Sequence, residues 1–454
     1  MNSSTNSQPH TRKKEALAAR LRQGAGSVGL CKDTSNLFRE RIRDENAIER
    51  PRVDLSGFNE VVRVDVAGGW VEAEGMTTYA DLAEGTLAHG VMPCVVPQLK
   101  SITLGGAAAG VGIEASSFRY GLVHDTLLGI EVLLADGSIV DCTPDNEHRD
   151  LFYGFPNSYG TLGYALKVTA RTVPVKPYVR IEHVRHTDTK RYFEDLEARC
   201  RARDADFIDG TVFSDREMFI TLGRFADSAP YTSDYTFEHI YYRSIREKDG
   251  DWLSTRDFIW RWDTDWFWCS KNLFVQNPII RKLVGRERLN STTYAKVMRW
   301  NSKWGLTRAF SRLTGKHPES VIQDVDIPIG RAPEFLTFFL KEVGVLPIWI
   351  CPIGGYDAQA RFPLYPVDPG ILYVNFGFWD VVQDSVRREP GHYNRKIERK
   401  VAELGGVKSL YSDSYYSEDE FWRRYNKPAY DKLKARYDPQ GKFKNLYEKC
   451  VLRH

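Results

Sequence analysis

VPQLKSITLGGAAAGVGIEASSFRYGLVHDTLLGIEVLLADGSIVDC, residues 96–142, is followed at 150–171 by DLFYGFPNSYGTLGYALKVTAR. The first string holds a small-residue run, Leu104 to Gly112, then an apolar strand, Leu127 to Leu134. Ala135-Asp136-Gly137-Ser138 turns that strand into a second one, Ile139 to Cys142. Asp-Gly between two apolar runs is a strong hairpin signal. Glycine and alanine in the run remove side chains where backbone must lie against something flat or charged. Two nucleotide-binding motifs are excluded. A dinucleotide-binding G-x-G-x-x-G, with an acid about 20 residues on, is absent, as is the P-loop string G-x-x-x-x-G-K-[ST].

The ordered elements do match another pattern. Ser101-Ile102-Thr103-x-Gly105-Gly106-x-x-x-Gly110-x-Gly112, then Tyr120-Gly121, the Ala-Asp-Gly-Ser hairpin, Asp150-Leu151-Phe152 and Gly160-Thr161-Leu162-Gly163 resemble the FAD-binding domain of the vanillyl-alcohol oxidase/PCMH superfamily. Further matches narrow the likeness. Ser35 to Arg39, Gly112-Ile113-Glu114-x-Ser116-Ser117, Arg261-x-Asp263, Leu346 to Pro352 and Leu410-Tyr411-x-Asp413-x-Tyr415 through Glu420-Phe421-Trp422 resemble the delta-24 sterol reductase group. The resemblance implies an α+β chain: a two-part PCMH-type FAD-binding domain with an α/β cap domain. Eukaryotic members of that group carry an N-terminal membrane anchor, and none is seen here, so the expectation is a soluble, bacterial, cytoplasmic relative, peripheral on the inner face of the membrane.

Composition agrees with a globular chain: 42% hydrophobic and 27% charged residues. A net charge of +3 gives no reason to expect nucleic acid as a partner. Seven scattered cysteines without C-x-x-C point to free thiols in a reducing compartment. No run of about 18 apolar residues occurs, so no transmembrane helix is expected. His183 and His186 lack a third ligand at suitable spacing, so no metal site is expected.

Along the chain, residues 1–11 read as a disordered tail and 12–176 as the FAD-binding domain. Within it, Lys13 to Gln23 has helical spacing, and Thr77 or Thr78 caps a helix that Gly90 ends. Val173-Pro174-Val175-Lys176-Pro177 marks a linker into a cap or substrate domain, 177–395, rich in Trp, Tyr and Phe. Residues 396–454 read as a helical segment returning to the FAD domain.

The resemblance assigns cofactor contacts to Lys32, Thr34, Ser35 and Asn36, to Ser101, Ile102, Thr103, Gly105, Gly106, Gly110 and Gly112, to Ser116 and Ser117, and to Gly160, Thr161 and Gly163. The 32–36 loop lacks the histidine that many relatives use for attachment, so FAD is expected to be non-covalent. Hydride exchange at flavin N5 follows, with NADPH as electron donor. An isolated alkene has no carbonyl to accept charge, so its reduction needs a general acid in a dry pocket and aromatic faces near a developing cation. Asp413, Asp263, Tyr411, Arg261, Glu114 and Tyr120 are the candidates. The expected lipid is a methylene-bearing fatty acyl chain or a sterol side chain, with a methyltransferase as partner in the first case. Oxidation of an alcohol or sugar by FAD is the alternative. Trp266 to Arg288 reads either as buried cap or as an interfacial membrane element: Trp266, Phe267, Trp268, Leu273, Phe274 and Ile279 beside Lys271, Arg281, Lys282, Arg286 and Arg288.

Overall fold

The computed structural model describes residues 7–22, 29–31, 37–39, 52–304 and 315–453. Helices and antiparallel sheets give the expected α+β class. The first sheet contains β1 (Val61–Asp65), β2 (Trp70–Glu74), β3 (Leu127–Leu133), β4 (Ile139–Cys142) and β5 (Tyr164–Pro174), in the order β1-β2-β5-β3-β4. Val91–Pro93 pairs with the end of β5. The Asp-Gly turn forms as read: Gly137 has φ 88° and Asp136 Oδ1 accepts from Ser138 N at 2.9 Å. α2 (Tyr79–Leu87) starts at Thr78, whose hydroxyl accepts from Asp81 N, and the chain leaves through Gly90 at φ 72°. The small-residue run is itself a short helix, α3 (Leu104–Ala109), laid against β5.

Residues 7–11, expected within a disordered tail, instead open α1 (Ser7–Arg22). The reason is electrostatic. His10 is buried, with Nδ1 2.8 Å from Glu74 on β2 and Nε2 2.9 Å from Glu131 on β3. Lys13 and Lys14, on the same helical face, reach those carboxylates at 2.8 and 2.6 Å. A polar composition that suggests disorder in isolation is here that of a helix docked by charge.

The second sheet is the cap. Its strands are β6 (Tyr178–His186), β7 (Phe207–Ser214), β8 (Glu217–Ala226), β9 (Gly250–Ser254), β10 (His317–Pro328), β11 (Ile348–Ile353), β12 (Tyr373–Asp384) and β13 (Val407–Lys408), in the order β9-β6-β8-β7-β11-β12-β10-β13. One face carries Ile220, Val325, Ile350 and Phe376, packed under α4 (Thr189–Ala202), α6 (Ala332–Glu342) and α7 (His392–Glu403) through Phe193, Phe335, Phe339 and Val401. Fully burying each such side chain contributes roughly 1.5–3 kcal/mol. α5 (Pro278–Val284) lies outside this layer. The opposite face is pressed onto the first half, so the centre of this sheet is covered on both sides.

The C-terminal segment returns later than expected. α7 and β13 still belong to the cap, because Ile397 and Val401 pack on its sheet and β13 pairs with β10. Only then does α8 (Lys427–Tyr437) dock on the first half, where Tyr437 Oη donates to Asp150 at 2.6 Å and Lys434 Nζ to Thr161 O at 3.0 Å.

Candidate active site

The glycines of the run are small for different reasons. A Cβ on Gly105 would stand 2.7 Å from Gly75 O, and one on Gly112 would stand 2.6 Å from Val123 Cγ2. A side chain at Gly163 would be driven into Val132. At these three positions the absence of a side chain permits close packing of α3, the following loop and the start of β5. Gly106 differs. It is exposed while Leu104, Gly105, Ala107 and Ala108 are buried, and a Cβ there meets only Thr103. Gly110 faces the Tyr159 ring, 3.5 Å from where its Cβ would be. Ser101 and Ile102 are half-buried on the approach.

The hydroxyls sort similarly. Thr103 Oγ1 caps α3 by accepting from Gly106 N at 3.2 Å. Ser116 donates to Cys94 O at 2.7 Å and Ser117 accepts from Glu114 N at 3.1 Å, so both hold their own loop instead of standing open to a cofactor. Thr161 is tied to Ser158 O at 2.8 Å. Lys32, Thr34, Ser35 and Asn36 lie outside the described residues.

A second turn meets the run; the sequence marks its Gly160 but not Asn157 or Tyr159. Asn157, Tyr159 and Gly160 have φ of 60°, 49° and 74°. Left-handed non-glycine residues cost of order 1–3 kcal/mol and persist where their surroundings fix them. Here Asn157 N donates to Gly110 O at 3.1 Å and Tyr159 N to Ala109 O at 2.8 Å. Around this junction Asn157 Oδ1, Ser158 Oγ, Arg39 Nη2 and Gln98 Nε2 are sealed from solvent without a partner among the described residues. Buried polar groups are normally bonded. Orphaned donors and acceptors beside an open glycine suit a ligand bearing both, as the ribityl chain and ring of FAD do, so the residues present fit that cofactor.

Across the interface lies the cap sheet, and its register aligns polar side chains in rows. Pairing places His183, Thr221, Asp209, Cys351, Asn375 and Asp326 in one line across β6, β8, β7, β11, β12 and β10. Asp209 and Cys351 stand one residue beyond the Gly210–Ile350 pair and Asn375 pairs opposite both Cys351 and Asp326, so these side chains share the face turned to the first half. His183 Nδ1 is 2.9 Å from Thr221 Oγ1. Asp326 accepts from Asn375 at 2.7 Å and Tyr365 at 2.6 Å. The next row on that face holds Thr211, Trp349, Gly377 and Asp324. Beside Asp324 lies Tyr411, whose Oη accepts from Trp379 Nε1 at 2.9 Å.

The acids expected from sequence fall into three settings. Glu114 is at the interface: Arg261 Nη2 lies 3.0 Å from Glu114 and 2.8 Å from Asp209, all three almost fully enclosed. Burial pushes Glu114 up to about 7, with Arg261 opposing and Asp209 adding to the rise. One guanidinium cannot neutralise two carboxylates, so Glu114 holds the surplus proton near neutrality. Asp263 is buried and accepts from Lys100 N at 3.1 Å and from Ser291, which makes it a clip between cap and first half. Burial raises its pKa. Asp413 stands apart, half-buried in an ion pair with Arg453 at 3.1 Å. Tyr120 lines a separate groove with Met92, Asp206 and Phe225. Tyr411 alone is joined to the row of Asp324.

The aromatic insertion divides. Trp266, Phe267 and Trp268 are buried cap core, with the Phe267 ring 4.2 Å from that of Trp379. Arg281 is buried against Asp265 at 2.7 Å, and Lys271 pairs with Asp380 at 2.6 Å. These residues are therefore withdrawn from any membrane surface. Phe274, Ile279 and Leu283 are 73%, 71% and 79% exposed. No helix among the described residues is long and apolar enough to cross a membrane.

A small-residue run with one open glycine, Gly106, thus faces a strained turn and a cap sheet with buried acids. Residues 45–143 match the FAD binding domain family. The chain is an FAD-binding oxidoreductase with a PCMH-type flavin domain. It is similar to the Delta(24)-sterol reductase of Homo sapiens, 28% identical over 426 residues covering 86% of this chain and 76% of that protein. The enzyme of the same name from Arabidopsis thaliana is 24% identical over 436 residues, 87% and 76% of the two chains. Cytokinin dehydrogenase 7 of Oryza sativa subsp. japonica is 29% identical over 178 residues, 38% of this chain and 33% of that one.

Proposed function

We propose that this protein reduces an isolated carbon–carbon double bond in a lipid, by a proton from the protein and a hydride equivalent from reduced FAD. The carrying observation is that similarity to proteins named Delta(24)-sterol reductase runs through both the flavin half and the cap, over 86% of the chain. The substrate is a methylene-bearing fatty acyl chain or a sterol or isoprenoid side chain; in the first case a methyltransferase supplies it. A nicotinamide donor, NADPH, restores the flavin, which Gly106, Gly110 and the 157–160 turn hold without a covalent bond.

The residues contribute in three ways. Trp349, Trp379 and Phe267, with centroids 4.2 to 6.4 Å apart, offer ring faces to a developing cation. Enclosed carboxyls with raised pKa values keep a proton at neutral pH. Arg261 and Asp263 pin the aromatic segment over the flavin half and exclude water. The lipid is met at a bilayer surface on the cytoplasmic side through Phe274, Ile279 and Leu283, flanked by Lys282 and Arg288. The test is anaerobic: NADPH should bleach the flavin, and a mid-chain methylene fatty acyl lipid or a sterol with an isolated side-chain alkene should restore its colour. Restoration by neither, with bleaching by an alcohol, overturns the reading.

A further inference from the structure

We propose that Asp324, beside Tyr411, is the group that delivers the proton to the alkene carbon; this rests on the reading given above. Register is the first support. Asp324 lies opposite Gly377 in the row Thr211–Trp349–Gly377, on the face turned to the flavin half.

Bonding is the second. Asp324 Oδ1 is sealed from solvent and has no partner among the described residues. Tyr411 lies beside this carboxyl, and its phenol is oriented because its oxygen is occupied by Trp379 Nε1 at 2.9 Å. Asp326, two residues along the same strand face, is by contrast fixed by two donors, Asn375 and Tyr365. It serves as the like charge that discourages ionisation of Asp324. Burial foremost, with Asp326 adding, raises Asp324 to about 7. A carboxyl protonated near neutrality, with one oxygen uncommitted, is equipped to give a proton.

The competing acids are placed differently. Asp413 is ion-paired to Arg453. Asp263 Oδ1 accepts from Lys100 N and Ser291, and Glu114 Oε1 pairs with the Arg261 guanidinium; each keeps its second oxygen sealed without a partner among the described residues, as Asp324 does, but neither lies in the Asp324 row of the cap sheet and Glu114 shares a cation that Asp324 lacks.

The step balances as follows. The O–H bond of Asp324 breaks and its proton forms a C–H bond at the less substituted alkene carbon as the π bond opens. The other C–H bond would take the hydride that FAD, when bound and reduced, supplies. Asp324 is left as a carboxylate and recovers its proton from water, and the nicotinamide donor re-reduces the flavin.

The experiment uses the FAD-loaded full chain in stopped flow, with a mid-chain methylene fatty acyl phospholipid and a sterol bearing an isolated side-chain double bond as probes. Asp324→Asn should slow alkene-dependent reoxidation by about 10²-fold or more, while reduction by NADPH keeps its wild-type rate. The infrared carboxylic C=O band of the loaded protein at neutral pH should lose intensity in Asp324→Asn. Should that variant fail to fold, Tyr411→Phe, which keeps the carboxyl and removes its hydroxyl partner, should slow reoxidation and shift the same band. If neither probe reoxidises the wild-type flavin, the alkene-reductase reading itself falls. If the wild type responds and Asp324→Asn reoxidises at a similar rate, or the infrared band is unchanged, the assignment to Asp324 alone is overturned.

Discussion

Arg261→Met removes the single cation shared by Glu114 and Asp209 while roughly keeping side-chain volume. All three groups are enclosed, with side-chain exposures of 0%, 5% and 2%. Breaking a buried ion pair by deleting one partner costs about 3–5 kcal/mol, because the remaining charge is stranded. At roughly 2 °C per kcal/mol for a chain of this size, the melting temperature should fall by about 6–10 °C. The fall should depend on pH. Glu114 in the native protein sits at about 7, above the ~4.3 of an unfolded glutamate. A carboxyl raised on folding binds more protons native than unfolded, so its contribution is fully present below ~4.3 and is lost as pH rises through the native value. Without Arg261 the native value moves higher still, and the deficit against wild type should be larger near pH 8 than near pH 5. Adding Glu114→Gln should recover part of the loss at the higher pH. Circular dichroism and flavin fluorescence melts at both pH values measure this. A shift under about 2 °C, or equal shifts at both pH values, would refute the ion-cluster account.

Loss of His10 should free α1: His10→Ala removes hydrogen bonds to two charged partners, worth roughly 1.5–3 kcal/mol each, and should expose Lys13 and Lys14 to limited trypsinolysis. The burial cost to His10 is outweighed by Glu131 and Glu74, which raise its pKa while theirs are lowered. Protection in the wild type should therefore be greatest between these values. It should be lost as pH rises through that of His10, and lost again as pH falls through those of the glutamates. Acid precipitation should leave the yellow colour in the supernatant, whereas a yellow pellet would mean a covalent flavin. Gly106→Val places a branched side chain at the one exposed position of α3 and should purify with little FAD but native-like circular dichroism; full flavin occupancy would remove this glycine from the site. Binding to anionic vesicles should be reversible and salt-sensitive, at roughly 1 kcal/mol per basic residue near the surface, and should weaken when Phe274, Ile279 and Leu283 are changed together to Ser. Equal pelleting of that variant and the wild type would discard the surface.

Much of the flavin half is legible because its signals are local. Thr78 and Gly90 bound a helix, Asp136-Gly137 makes a hairpin, and the small-residue run marks a backbone that something approaches closely. What approaches is less legible. Gly105, Gly112 and Gly163 are as small as Gly106, yet their neighbours are Gly75, Val123 and Val132, all contributed by segments outside the glycine's own turn. The hydroxyls of Ser116 and Ser117 read as cofactor donors until Cys94 O and Glu114 N are found against them. The Trp-rich stretch likewise gives no local clue that Arg281 will turn inward to Asp265 while Leu283, two residues on, turns outward.

The acids of the cap face were missed for a more specific reason. Along β10, Val321, Gln323, Val325 and Ile327 alternate with Ile322, Asp324 and Asp326. Such alternation ordinarily means one buried and one solvated face, so Asp324 and Asp326 read as a wet edge of little interest. Gln323 compounds the error, since an apolar side should not carry an amide; here it donates to Asn394 of α7 within the helix-covered layer. The opposite face becomes buried only because the flavin half, made from residues more than a hundred positions earlier, is laid over it. That covering changes the chemistry of the strand. On a solvated face the two aspartates would be ordinary ionised carboxylates. Under a lid of Tyr411, Tyr365 and Tyr159, burial lifts both, to about 7 and about 6. The layer that brings the cofactor site to the strand is thus the same layer that gives the strand an acid able to serve it.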